Sequence, residues 1–145
     1  MNIKQYLQTP YKVFEFDTID STNNEAKRML EKDASFCPFA VVANEQTNGR
    51  GRQGKSFYSP KETGIYMTVV FEAESETFTD FFTAAAAVAV SAAIENCTEI
   101  TTEIKWVNDI YVDGMKVCGI LCESVLINCG DRTKKFVLAG VGVNV

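Results

Sequence analysis

Gln46-Thr47-Asn48-Gly49-Arg50-Gly51-Arg52-Gln53-Gly54-Lys55-Ser56 crowds three glycines, two arginines and a lysine between Gly49 and Lys55 of an otherwise acidic chain. Two incompatible readings fit it. As a bare pattern, Gly49 to Ser56 matches G-x-x-x-x-G-K-[ST], the phosphate-cradling loop of nucleoside triphosphatases, which joins a strand directly to a helix whose first amides face the phosphates. As a composition, Gly-Arg-Gly-Arg is a pliable backbone carrying guanidinium groups, suited to closing over a ligand that brings its own negative charge.

The flanks separate the two. After Ser56 come Phe57-Tyr58-Ser59-Pro60-Lys61-Glu62-Thr63-Gly64, with an early proline and no amphipathic period, so no helix starts there. Before Gly49, the polar run Asn44 to Asn48 separates the glycine from the apolar strand at Phe39 to Ala43, and no acidic residue closes an apolar strand to hold magnesium. The phosphate-loop reading fails on context. A solvated glycine-rich loop and a cationic ligand-binding loop remain.

Outward from this loop, Tyr11 to Phe16 reads as a short strand, and Thr22-x-x-Glu25 as a capping box opening a helix through about Lys32. Gly64 to Phe71, rich in β-branched and aromatic residues, reads as a central strand, and Phe81 to about Cys97 as a helix whose alanines let it lie close to a sheet. Beyond Glu103 the pattern is strand-turn-strand: Ile104 to Trp106, Ile110 to Val112, a hairpin turn at Asp113-Gly114, Val117 to Ile127, a turn at Asn128 to Asp131, and Phe136 to Val145. The expected fold class is α+β, a mixed, largely antiparallel sheet packed against helices. The final apolar run stops mid-pattern, as though the chain were cut at its C-terminal end.

A length of 145 residues with 46% hydrophobic content suits a single domain with its own core. The net charge of −5 leaves no bulk basic surface for nucleic acid, so the positive charge at Arg50, Arg52 and Lys55 is a local device. Ala84 to Ile94, the longest apolar stretch, is too short for a membrane span and reads as a buried helix. Five cysteines, odd in number and without a signal sequence, read as reduced core thiols of a cytoplasmic protein. Cys118 and Cys122 make a poor zinc site without histidine, and the absence of any histidine excludes Ser-His-Asp and Cys-His devices. Chemistry here runs on positioning and charge neutralisation.

A second cluster, Lys105-Trp106-Val107-Asn108-Asp109, places a cation, the only tryptophan, an amide and a carboxylate at a strand-loop junction. Alone it reads equally as a core tryptophan with flanking surface charge. In order, Ser21-Thr22-Asn23, Glu45 to Gly54, Lys105-Trp106-Val107-Asn108-Asp109, Lys116-Val117-Cys118-Gly119-Ile120-Leu121 and Gly140-Val141-Gly142-Val143-Asn144 closely resemble the catalytic domain of biotin protein ligases over nearly the whole chain. Val107 stands where that family usually has proline, and Lys55 and Phe57 where some members have arginine and tryptophan.

The resemblance implies the biotin–lipoate ligase fold, akin to class II aminoacyl-tRNA synthetases. It implies a reaction in which biotin and ATP form biotinyl-5'-adenylate, after which a lysine of a biotin carboxyl carrier protein takes the biotinyl group. It implies Arg52 and Lys105 as catalytic cations on the reacting carboxylate and α-phosphate. Ser21, Thr22, Asn23, Gln46, Arg50, Gly51 and Gly119 would join them around biotin. Lys55 and Asn144, with Arg52 and Lys105, would take the adenylate, Asn144 lying near its adenine end. Mg2+ would ride on the ATP phosphates rather than on protein ligands. Asp109 is read as structural or catalytic.

The whole chain, 1–145, is expected to be one catalytic domain, incomplete at its C-terminal end, with neither an N-terminal DNA-binding domain nor a C-terminal barrel. Expected partners are biotin, ATP, the carrier protein and a second copy in a homodimer, with no nucleic acid and no membrane. A lipoate protein ligase, or a biotin-binding fragment with little turnover, are the alternatives.

Overall fold

The computed structural model describes residues 11–73 and 79–145. In chain order its elements are β1 (Lys12–Ile19), α1 (Thr22–Lys32), β2 (Phe39–Gln46), β3 (Gly64–Ala73), α2 (Thr79–Thr98), β4 (Glu103–Lys105), β5 (Asp109–Val112), β6 (Met115–Cys129) and β7 (Arg132–Asn144). The strands form one seven-stranded sheet in the order β1-β2-β3-β7-β6-β5-β4. Only β1 and β2 run parallel; every other pair is antiparallel.

The apolar run at positions 136–143 belongs to β7, which lies between β3 and β6 and pairs with both. A central strand buried on both faces reads as a continuous apolar run.

Strand alternation assigns the two faces. On β7, Phe136 and Leu138 join Phe39 and Val41 of β2 and Val70 of β3 in a core capped by Ala26 and Leu30 of α1. The opposite parity, Val141 on β7 with Cys118 and Ile120 on β6, packs against Ala87 of α2. The helices therefore cover opposite faces of one sheet. Ala26 and Leu30 are one helical turn apart and fully buried, so Leu30→Ala would cost roughly 2–5 kcal/mol as a cavity in the α1 core.

Two local expectations shift. The N-cap of α1 is Ser21, whose Oγ accepts from the Asn24 amide, while Thr22 is the first helical residue and does not cap. Helix α2 is not buried all round. It has the length and apolar composition of a membrane-crossing helix, but Phe82, Thr83, Ala86, Ala87, Val90 and Ile94 turn toward the sheet while Phe81 and Val88 are exposed. Alanine is apolar yet small, so its run does not mark which face is covered.

All five cysteines are free, in contrasting settings. Burial pushes the Cys118 thiol up to about 12, so at pH 8 it is a neutral thiol behind β6, while Cys97 is exposed at the end of α2. A thiol reagent at pH 8 is expected to label Cys97 in the native protein and Cys118 only after denaturation. Equal native labelling of the two would contradict this packing.

Candidate active site

On the α1 face, a cavity of about 290 Å3 opens between the start of α1, the Gly49–Phe57 segment, the start of β5, and β6 and β7. That volume is near the lower end of small-molecule sites. Its floor is glycine-rich because of register: Gly119 on β6 lies opposite Gly142 on β7, and Leu121 opposite Gly140. A Cβ on Gly140 would run into the Asn23 amide, and one on Gly142 into the Phe57 ring. Glycine here admits neighbours that press directly onto the sheet.

The Gly49–Phe57 segment is a paired strap. Phe57 N donates to Gly49 O at 2.8 Å and Gly51 N to Lys55 O at 2.7 Å, with a single helical turn at Arg52–Gly54 forming the tip. The tip needs positive φ at Gln53 (56°) and Gly54 (73°), which glycine adopts without strain. Its paired amides are committed to the strap itself and no helix follows Ser56, so the phosphate-loop geometry is absent.

A directed chain of hydrogen bonds orients the apolar end. The Thr22 backbone N–H, which can only donate, reaches Gln46 Oε1 at 2.8 Å, and the Thr22 hydroxyl donates to the same oxygen at 3.1 Å. Gln46 Nε2 must then face Ser59 Oγ, 2.9 Å away, and Ser59 passes its proton to Phe57 O at 3.0 Å. One Gln46 N–H is left for a ligand acceptor. Asn23 is fixed as firmly: its Oδ1 accepts from Thr68 Oγ1 at 2.6 Å, and its Nδ2 donates to Leu121 O at 3.3 Å and Glu123 Oε2 at 2.9 Å.

The other end is cationic. Arg50, Arg52, Lys55 and Lys116 all line the cavity, with Asp109 as a lining carboxylate. Lys116 Nζ pairs with Asp109 Oδ1 at 2.8 Å, and Asn108 Nδ2 donates to that oxygen at 2.9 Å. Arg52 reaches Asn108 Oδ1 at 3.3 Å, and among the described residues neither Arg52 nor Lys55 has a carboxylate partner. Unpaired guanidinium and ammonium groups facing one cavity are a built receptor for an anion.

Most of the residues assigned from the sequence converge here: Thr22, Asn23, Gln46, Arg50, Gly51, Arg52, Lys55 and Gly119 line the cavity. Three do not. Ser21 is buried as the helix cap. Asn144 is exposed at the end of β7, on the parity of Gly140 and Gly142 but beyond the cavity. Lys105 lies exposed on edge strand β4, opposite the lining residue Asp109, with its Nζ 5.5 Å from the Tyr111 ring and outside the cavity lining. Trp106 is 82% exposed, not a core residue, and Val107 beside it is buried across a cis peptide.

The cation that does enter is Lys116. The Asp113-Gly114 turn, legible in the sequence, folds β6 back along β5, but the pairing of Tyr111 with Lys116 that returns the lysine toward Asp109 is seen only in the structure. Ser59 and Glu123 carried no composition or spacing signal, because their roles depend on contacts across the fold.

The entry to α1 is tethered by Asp20, whose carboxylate takes Arg28 Nη2 at 2.6 Å and Asn24 Nδ2 at 2.8 Å, while its carbonyl accepts from Asn48 N at 2.8 Å. The Arg28 guanidinium holds the Asp20 carboxyl well below the usual carboxylate range. A carboxyl lowered by folding adds stability above its unfolded pKa and loses it as pH falls. The melting-temperature gap between the protein and Asp20→Asn is therefore expected to be full above about pH 5 and to shrink below about pH 4. A pH-independent gap would contradict the tether.

A mixed sheet between two helices, with a cationic strap beside a glycine-floored cavity, defines an α+β domain with a cation-lined cavity. Residues 15–144 match the family model described as the biotin/lipoate A/B protein ligase family, and the chain belongs to that family. The bifunctional ligase/repressor BirA of Bacillus spizizenii is 36% identical over 130 residues, spanning 89% of this chain and 39% of that protein. The structure of the biotin protein ligase from Aquifex aeolicus in complex with biotin and ATP superposes with a TM-score of 0.71 at 31% identity, covering 92% of this chain and 52% of that one. The LipL1 structure from Plasmodium falciparum in complex with lipoate, at 12% identity and a TM-score of 0.54, shares the fold. The chain thus spans about two-fifths of the length of the BirA relative it matches.

Proposed function

We propose that this chain carries the catalytic site of a biotin protein ligase, joining biotin to ATP as biotinyl-5'-adenylate and passing the biotinyl group to a lysine of a biotin carboxyl carrier protein. The observation that carries it is one cavity holding an oriented amide and hydroxyl, Gln46 and Thr22, at one end and Arg52, Lys55 and Lys116 at the other. A cyclic urea with a carboxylate tail needs that pairing. The Gln46 N–H suits the ureido carbonyl, and the Thr22 hydroxyl, which also lies 2.8 Å from Thr68 Oγ1, keeps one lone pair for a ureido N–H.

Biotin's carboxylate is already ionised at neutral pH, so adenylation needs no base. The difficulty is bringing that anion to the α-phosphorus of a polyanion. Arg52 and Lys116 offset the repulsion and stabilise charge as the carboxylate oxygen attacks and pyrophosphate leaves. Lys55 meets the outer phosphates, and Asn144 takes the adenine end. Magnesium travels with the triphosphate, as its preference for phosphate oxygens and water favours. In the second half, the amine of the acceptor lysine attacks the acyl carbon and AMP departs with its electron pair. We place the chain in the cytoplasm, with a second copy as a partner in a homodimer.

Pyrophosphate exchange tests this. With ATP and labelled pyrophosphate, exchange should require biotin. Exchange driven by lipoate instead would assign the other branch of the family, and biotin binding without exchange would mark a binding fragment.

A further inference from the structure

We infer that Glu123 is a positioning residue that clamps the cationic strap over the cavity, and that Arg50 serves this clamp rather than the substrate anion. Glu123 lies on β6 one pleat beyond Leu121, on the cavity face, opposite Leu138. Arg50 Nη2 donates to its Oε1 at 2.8 Å and Arg50 Nη1 to its Oε2 at 3.1 Å, a fork-on-fork pair. The same Oε2 accepts from Asn23 Nδ2 at 2.9 Å, and Arg50 Nη1 also donates to Asn24 Oδ1 at 3.0 Å. One carboxylate thus joins the strap, the first turn of α1 and the central sheet, segments 73 and 100 residues apart in sequence.

Two consequences separate this from ordinary surface pairing. Both terminal nitrogens of the guanidinium are engaged by protein acceptors, whereas Arg52, two residues along the same strap, has no carboxylate partner among the described residues. The strap's two arginines therefore divide the work: Arg50 holds the lid and Arg52 meets the ligand. The clamp also closes without any ligand carboxylate, so ligand entry and escape require it to open, and Glu123 sets how long a bound acid or its adenylate is retained.

This rests on the ligase reading for its ligand, but the clamp can be read without one. Limited trypsin digestion of the ligand-free protein should cut after Arg52 and Lys55 about tenfold faster in Glu123→Gln and Arg50→Gln, at a rate set by the population of the open strap. The double variant should be no faster than either single one, since both remove the same pair. Biotin should bind Glu123→Gln about tenfold more weakly through faster release, with pyrophosphate exchange at saturating biotin within about twofold. Glu123→Asp, which keeps the charge, should recover part of the affinity. Unchanged cleavage after Arg52, or additive effects in the double variant, would overturn the clamp. Faster cleavage in a protein that never binds biotin would leave the clamp standing and remove the ligase reading. A Glu123→Gln that fails to fold leaves Arg50→Gln, exposed on the strap, to decide: strap cleavage as slow as in the parent protein would overturn the clamp.

Discussion

Lys116→Ala should lower biotin-dependent pyrophosphate exchange by between about a hundred- and a thousand-fold, the loss seen when a preorganised charge-stabilising donor is removed from a transition state. The ammonium is held by the Asp109 carboxylate, 2.8 Å away, so it is oriented before any ligand arrives. An oriented cation stabilises developing charge without the cost of reorganising solvent. Lys116 lies exposed on the β5–β6 hairpin, so the melting temperature should hardly move. Lys105→Ala, outside the cavity on β4, should change exchange by less than about threefold. If the two variants exchanged places, Lys105 would have to reach the reacting atoms by a movement of β4, and the cavity would not be the adenylation site. Asp109→Asn is intermediate: Lys116 loses its tether but keeps its charge, so the rate falls less than on losing the lysine.

The Lys105 and Lys116 contrast marks where sequence reading stops. Both lysines stand in motifs that single out the cavity, and both are cations near a strand end. Both stand beside Asp109, Lys105 by strand register and Lys116 by an ion pair, and which of them lines the cavity rests on pairing across the fold that leaves no compositional trace. Elements with a strong period or turn signal, α1, β3 and the Asp113-Gly114 hairpin, were legible. The extension of β2 to Gln46 was not, because its polar end is stabilised by pairing with Ile19 and Ser59 rather than by burial. The same holds for Ser21, where capping by the serine, not the threonine beside it, is decided by Thr22 turning to Gln46. The strap reads as a loop in the sequence because glycine and arginine carry no period, while its order comes from backbone pairing, Phe57 N to Gly49 O and Gly51 N to Lys55 O.

Gly49→Ala should cost about a hundredfold in exchange efficiency, more than its single methyl suggests. The added Cβ would meet the Phe57 carbonyl oxygen head-on, with Ser59 Oγ at 2.7 Å and Gln46 Nε2 at 3.1 Å. Ser59 is buried and hydrogen-bonded on both sides, and Phe57 O belongs to the backbone, so no flexible chain end can yield. The strap must part at its first rung, Phe57 N to Gly49 O. That displaces the Gln46 amide at one end of the cavity and Arg52 at the other, so ligand orientation and charge compensation are lost together. Overpacking of this kind typically costs about 1–3 kcal/mol of stability, a few degrees of melting temperature. Gly54→Asn is the control in the same strap: a Cβ there meets nothing, and asparagine tolerates the positive φ of 73°. It should keep near-normal exchange. A Gly49→Ala protein as active as Gly54→Asn would mean that the reaction proceeds with the strap open, and that Gln46 recognises its ligand without the hydrogen-bond chain through Ser59.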